Sequence, residues 1–420
     1  MIDSMENRAI RRGRLYEQCI SILAALVLWT MVASYLAILY PPKPGGDWAY
    51  YWDLATNPGM YRRGGLSVFL FSPFKLIGFP PWLAALAINV SIGWLFILAL
   101  ARIGDSRGML ATILAVLYLY TLAPFAGIVQ LDMMAALWAL VALLIAVSAI
   151  QKGSRIRYCL SIACLAMAAS TRTQYALVLI VMASLVVPFA LGCRRAKRRR
   201  LLAVTAALML GGGAGLALDS TLRAVAGNAE DFRDGVGVVI YTGLLTTADS
   251  GPWCGGWTPA ALQAAKEDKA LDFTDAMRMR LKARPLGEYG NVISCKSGRI
   301  FFFEPFALYW LQSSRMEQQG GGASEAAWQR LERWQPAYDR FFSVVRGALW
   351  VYLIGFVAFS IARRNLLGAV LPAVWIIAYW CVHSVLEVQG RYFLGMAWLI
   401  PGLCLIAYRH LEFRDQSGER

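Results

Sequence analysis

Two carboxylates stand in the stretch Gly45-Gly46-Asp47-Trp48-Ala49-Tyr50-Tyr51-Trp52-Asp53, directly after a long apolar run. A charge beside lipid is costly unless it is paired or used. Asp47, set among aromatic residues, has the surroundings of a general base that takes a proton from a hydroxyl. The same Gly-Gly-Asp before an aromatic run also reads as a helix N-cap. Asp53 lies six residues further on, where a spacing of four or seven would put both acids on one helical face. It is a candidate acid partner, with an ordinary exposed or paired carboxylate as the alternative. Tyr50 and Tyr51 are candidates to line the same site.

Other polar groups recur beside apolar runs. Arg62 and Arg63 follow in Tyr61-Arg62-Arg63-Gly64-Gly65, and a guanidinium fork suits a phosphate. Asp132 opens an apolar run, where it either caps a helix or lines a site. Arg172 and Gln174 occupy a tight turn between two apolar runs. Arg172 is a phosphate-ligand candidate, or else it snorkels to the interface. The stretch from His383 to Tyr392 holds His383, Glu387, Gln389, Arg391 and Tyr392. Solubility does not require such density, although a Glu387–Arg391 ion pair would account for two of the groups.

These groups must be positioned by a bilayer-embedded scaffold. The chain is 58% hydrophobic and only 16% charged, which is more apolar than a soluble domain. Its apolar runs predict an all-α polytopic membrane protein of about ten spans. They fall roughly at 16–40, 80–101, 109–123, 131–150, 158–171, 175–192, 201–222, 346–362, 366–386 and 392–408. The stretch 66–79, broken by Pro73 and Lys75, is too short to cross and reads as interfacial or re-entrant. Arg8, Arg11, Arg12 and Arg14 precede the first run, which is longer than a signal h-region and reads as a retained helix.

Charge sets the expected orientation. The net charge of +15 comes from 41 basic and 26 acidic residues, and Lys and Arg gather on alternate loops. The densest is Arg194–Arg200, which contains no acid. The positive-inside pattern puts both termini in the cytoplasm and the polar groups named above on the opposite face. Three parts follow: an N-terminal membrane module at 1–222 with a first outer loop at 41–79, an outer loop subdomain at 223–345, and C-terminal membrane helices at 346–420. Within the subdomain, 258–284 has helical spacing, Gly320-Gly321-Gly322 reads as a link, and a helix resumes near Ser324. Nucleic-acid binding is excluded, because no motif or basic helix supports it. Of eight cysteines only Cys254 and Cys295 share the outer segment, where they could form a disulfide. With no Cys-x-x-Cys and only two histidines, a conventional zinc site is not expected.

The pattern resembles that of the GT-C glycosyltransferases, polytopic enzymes that use polyprenyl-phosphate sugars. It is most similar to the branch of protein O-mannosyltransferases and the aminoarabinose transferase of lipid A. Asp47 in Gly-Gly-Asp-Trp-Ala-Tyr-Tyr-Trp-Asp-Leu-Ala matches the position of the superfamily's catalytic acid. Gln130-Leu131-Asp132 resembles the second outer-loop acid, and Tyr241-Thr242-Gly243-Leu244 through Gly251-Pro252-Trp253 the opening of the outer subdomain. Glu387-Val388-Gln389-Gly390-Arg391-Tyr392 is similar to the acid-x-x-x-Arg-Tyr before a late span. Unlike the O-mannosyltransferases, the chain has no adjacent Asp-Glu pair in its first loop, and it is shorter.

The resemblance implies a GT-C-like bundle with an extracytoplasmic active site, lodged in the inner membrane if the source is a bacterium. It implies an inverting transfer of sugar from a polyprenyl-phosphate donor to an extracytoplasmic glycan, lipid or protein. Asp47 would be the base, with Asp53, Asp132 and Glu387 as acid partners. Arg62, Arg63, Arg172 and Arg391 would hold the donor phosphate. Tyr50, Tyr51, Gln174, His383, Gln389 and Tyr392 would line the substrate. The dispersed acids favour a reaction without a divalent cation, and an upstream synthase would charge the lipid carrier. The competing readings are a transporter or flippase of a lipid-linked sugar, and a polymerase or ligase using a lipid-diphosphate donor. The first predicts charges near mid-bilayer, and the centres of the proposed spans hold almost none.

Overall fold

The computed structural model describes residues 2–42, 51–52, 66–103, 109–129, 131–192, 195–225, 239–245, 247–248, 250–251, 254–256, 258–269, 273–302, 305–316, 324–363, 366–389, 392, 394–395 and 397–404. Among these residues the regular structure is helical throughout and no strand occurs. The first half comprises α1 (Ile2–Leu39), α2 (Leu66–Leu76), α3 (Pro81–Ile103), α4 (Met109–Thr121), α5 (Asp132–Lys152), α6 (Arg155–Thr171), α7 (Thr173–Leu191) and α8 (Arg195–Val225). A π-helical turn, Tyr241–Leu245, lies in the polar segment that follows. There follow α9 (Pro259–Lys269), α10 (Phe273–Ala283), α11 (Leu286–Phe301), α12 (Phe306–Met316), α13 (Glu325–Ala362) and α14 (Leu366–Val385).

Five of these helices are long and apolar enough to cross a membrane: Cys19–Leu39, Pro81–Ala101, Thr173–Leu191, Leu201–Leu222 and the apolar part of α13. Leu110–Thr121, Asp132–Ala146 and Ala369–Val385 are apolar but shorter. A membrane protein built of helices is therefore what the apolar runs encode. In α1 the side chains of Trp29, Ala33 and Ala37, one turn apart, are buried, while Leu23, Val27, Met31, Tyr35 and Ile38 are exposed. A helix apolar on every face suits lipid on one side and neighbouring helices on the other.

Close packing fixes the bundle. The indole of Trp29 donates to the Val90 carbonyl at 3.3 Å, joining α1 to α3. Asn89 ties α3 to the turn before α5 by donating to the carbonyls of Ala126 and Ile128. α6, α7 and α8 pack against one another, and Gly215 lets α8 approach, since a β-carbon there would sit 2.8 Å from the Ala166 carbonyl oxygen. Small residues at helix contacts are the usual means of close approach in lipid.

The segment between α8 and α13 largely follows its sequence signals. The spacing over 258–284 becomes α9 and α10. Ser324 caps α13, its side chain accepting from the Ala327 amide. Gly320–Gly322 lies outside the described residues. α13 runs unbroken through 345–346, so the expected boundary between the loop segment and the span after it falls inside one helix. Its N-terminal half is tied to the bundle by Tyr338, which donates to the Thr121 carbonyl at 2.6 Å, and by Tyr40, which donates to the Ala327 carbonyl at 2.8 Å.

Candidate functional site

A charged cluster forms where α5 begins and α6 ends. Asp132 is the first residue of α5, yet no side chain caps that helix. The carboxylate instead accepts from Arg172 Nη2 at 2.5 Å. Arg172 is the one extended residue between α6 and α7, with φ −142° and ψ 108°. Its amide closes α6 on the Ala168 carbonyl and its carbonyl opens α7 by accepting from Tyr175 N. The side chain is thus carried between two helix ends towards Asp132. Both residues are buried, Asp132 at 1% exposure and Arg172 at 8%. A charge pair so far from water survives because each partner neutralises the other.

The first loop reaches this pair. Tyr51, fully buried, accepts from Arg172 Nη1 at 2.9 Å, and the guanidinium lies 5.7 Å from its ring centroid. α2 holds Tyr51 and Trp52 in place. Lys75 donates to the Trp52 carbonyl at 3.0 Å, and Phe71 meets the Trp52 ring edge-on. Of the residues singled out from sequence, Asp132, Arg172 and Tyr51 are therefore brought together across long chain separations. Gln174 is half-buried in the first turn of α7.

A second cluster gathers at the end of α14. Tyr379, His383 and Tyr392 form a ladder of near-parallel rings, with centroids 5.5 Å and 5.7 Å apart. Because a carbonyl only accepts, His383 donates from Nδ1 to the Glu387 carbonyl at 3.1 Å, which fixes its tautomer. Glu387 is buried and its carboxylate accepts from Gln389 Nε2. Tyr175, edge-on to Tyr379 at 6.2 Å, links this ladder to the turn that carries Arg172. His383, Glu387, Gln389 and Tyr392 are thus assembled in one place.

Lys296 was not among the residues that sequence reasoning singled out. It lies on the inner face of α11 between Val292 and Ile300, all three buried at intervals of four. Its Nζ donates to the carbonyls of Gly243, Ser384 and Leu386 at 2.7–2.8 Å. Burial pulls the ammonium down to about 7; Arg299 adds to the effect and Glu387 opposes it. A lone lysine on the apolar face of an amphipathic helix is the signal that marks it. The neighbouring Cys295 is joined to Cys254 by a disulfide, as the shared outer segment allowed.

Elsewhere in the outer segment, Asp268 accepts from both Arg280, at Nε and Nη2, and Tyr241, pinning the π-helical turn to α9 and α10. The Arg280 bond, ahead of the opposing effect of burial, holds the Asp268 carboxyl below its usual value.

Asp47, Tyr50, Asp53, Arg62, Arg63 and Arg391 lie outside the described residues. Among the described residues no group of three or more His, Cys, Asp or Glu side chains is arranged to hold a metal ion. Compared with known proteins, the chain matches no family model, no curated sequence and no solved structure.

Proposed function

We propose that this chain is an integral-membrane glycosyltransferase. In this reading it moves one sugar, with inversion, from a polyprenyl-phosphate carrier to a glycan, lipid or protein outside the cytoplasm. About ten spans would form a GT-C-like bundle beneath an extracytoplasmic subdomain.

The observation that carries the proposal is the junction of Tyr51, Arg172 and Asp132. It ties the loop that bears Asp47 to a buried cation at two helix ends. Asp47 takes the proton of the acceptor hydroxyl as oxygen attacks the anomeric carbon. The bond from that carbon to the phosphate oxygen breaks, and its electrons leave with the lipid phosphate. Asp132 and Tyr51 fix the plane of the Arg172 guanidinium, so the growing phosphate charge meets an oriented cation. Arg62, Arg63 and Arg391 add positive charge, and Gln389, His383 and Tyr392 line the sugar. A phosphate leaving group needs no proton, so one base suffices. The dispersal of Asp47, Asp53 and Asp132 along the chain favours a reaction without a divalent cation.

The test is Asp47→Asn, assayed in purified membranes supplied with a polyprenyl-phosphate sugar. Loss of the base lowers transfer by about 100- to 10,000-fold. Retained transfer removes Asp47 from that role, and transfer only from a lipid-diphosphate donor favours a polymerase or ligase instead.

A further inference from the structure

The bond pattern around Lys296 extends the proposed site. Two chain segments remote from each other in sequence converge on one ammonium: the π-helical turn through Gly243, and the end of α14 with the residues just after it through Ser384 and Leu386. An ammonium has three N–H donors, and three carbonyls take them. Lys296 is fully buried, and a buried cation is expensive unless its donors are satisfied.

The cradle is built for this side chain. Gly255 has φ +68°, and a β-carbon there would lie 2.8 Å from Lys296 Cδ. The Gly255 carbonyl accepts from Val388 N at 2.6 Å. Gly243 lies against the backbone of Leu386 and Glu387, where a β-carbon would come within 2.6 Å of the Glu387 amide nitrogen. Val239 accepts from that same amide at 3.1 Å. The Cys254–Cys295 disulfide and the bond from Arg299 Nη1 to the Cys254 carbonyl, 2.6 Å, fasten the 254–255 turn to α11 on either side of Lys296.

We propose that Lys296 is a positioning residue. Its ammonium clasps the outer segment to the end of α14 and so fixes where His383, Glu387 and Gln389 stand. Its part in transfer rests on the glycosyltransferase reading, whereas the clasp itself does not. Lys296 touches none of the reacting atoms. It acts through the backbone that carries the groups facing the sugar.

The test is hydrogen exchange followed by mass spectrometry on the full-length protein in lipid nanodiscs, with transfer from a polyprenyl-phosphate sugar assayed in parallel. Lys296→Met removes the ammonium and keeps the length of the side chain. Exchange in 384–389 and 241–243 rises about tenfold or more, while 176–186 within α7 stays protected. Transfer falls by about 10- to 100-fold as the site loosens. Lys296→Gln, with two N–H donors, gives a smaller rise in the same peptides and serves if Lys296→Met does not fold. Reducing the disulfide in the unaltered chain opens the same peptides. Unchanged exchange in both variants overturns the proposal, as does a rise spread evenly through the spans. Local opening with undiminished transfer also overturns it, because positioning would then not matter. Local opening in a protein whose unaltered form transfers nothing leaves the clasp standing and removes the transferase reading.

Discussion

Two buried cations in this molecule are neutralised in different ways. Arg172 faces a counter-charge, Asp132, and a phenol, Tyr51. Lys296 donates to three backbone carbonyls. In the first case the contact is between side chains, so it joins helix ends without holding their backbone rigid. In the second the contact is with main chain, so it fixes the path of two loops. The first arrangement suits a cation that orients a substrate group, and the second suits one that shapes the wall of a site.

The largest expected effect would break the first arrangement. Asp132→Asn removes the carboxylate that faces the buried Arg172 guanidinium, at a cost of about 3–5 kcal/mol. Thermal unfolding of the purified protein measures it, and Asp132→Asn combined with Arg172→Gln recovers much of the loss. An unchanged unfolding temperature in the single variant would show that the pair is not buried as described.

A smaller effect would sharpen the second arrangement. Gly243→Ala forces a methyl group against Glu387 N and costs about 1–3 kcal/mol. Gly298→Ala is the control, since nothing lies within 4 Å of its added carbon. Proteolysis of the outer segment reports the difference, and equal susceptibility of the two variants would contradict the close approach at Gly243.

The smallest effect belongs to a third contact, half open to water. The Asp268 carboxyl is held low by Arg280, whose side chain is 38% exposed. A carboxyl with a lowered folded value adds stability above its unfolded value, near 4, and loses it as pH falls through the folded value. Screening keeps this to about 1 kcal/mol or less. Acid titration of the outer segment's helicity should show the loss, and Asp268→Asn should remove that part of the pH dependence. A variant that titrates like the unaltered chain would remove Asp268 from the account.

The sequence showed some of this directly. Apolar runs located the long helices and Ser324 announced the start of α13, while the shared segment of Cys254 and Cys295 allowed a disulfide that the structure then shows. Asp132 and Arg172 were visible singly, but their pairing was not. They lie forty positions apart, and four arginines were equal candidates for one phosphate. Lys296 was hidden for a different reason. Its place between Val292 and Ile300 on the apolar face of α11 is a local sign of burial, but the carbonyls of Gly243, Ser384 and Leu386 that hold it come from distant segments. Long-range convergence of backbone groups leaves no local pattern to read.

α13 carries a further meaning. At about 1.5 Å per residue its 38 residues extend roughly 57 Å, nearly twice a hydrocarbon core of about 30 Å. A rod of that length is more than a single crossing of such a core requires. Tyr40 and Tyr338 bind its first half to the bundle, so a displacement at one end of the rod is carried to helices packed along the other.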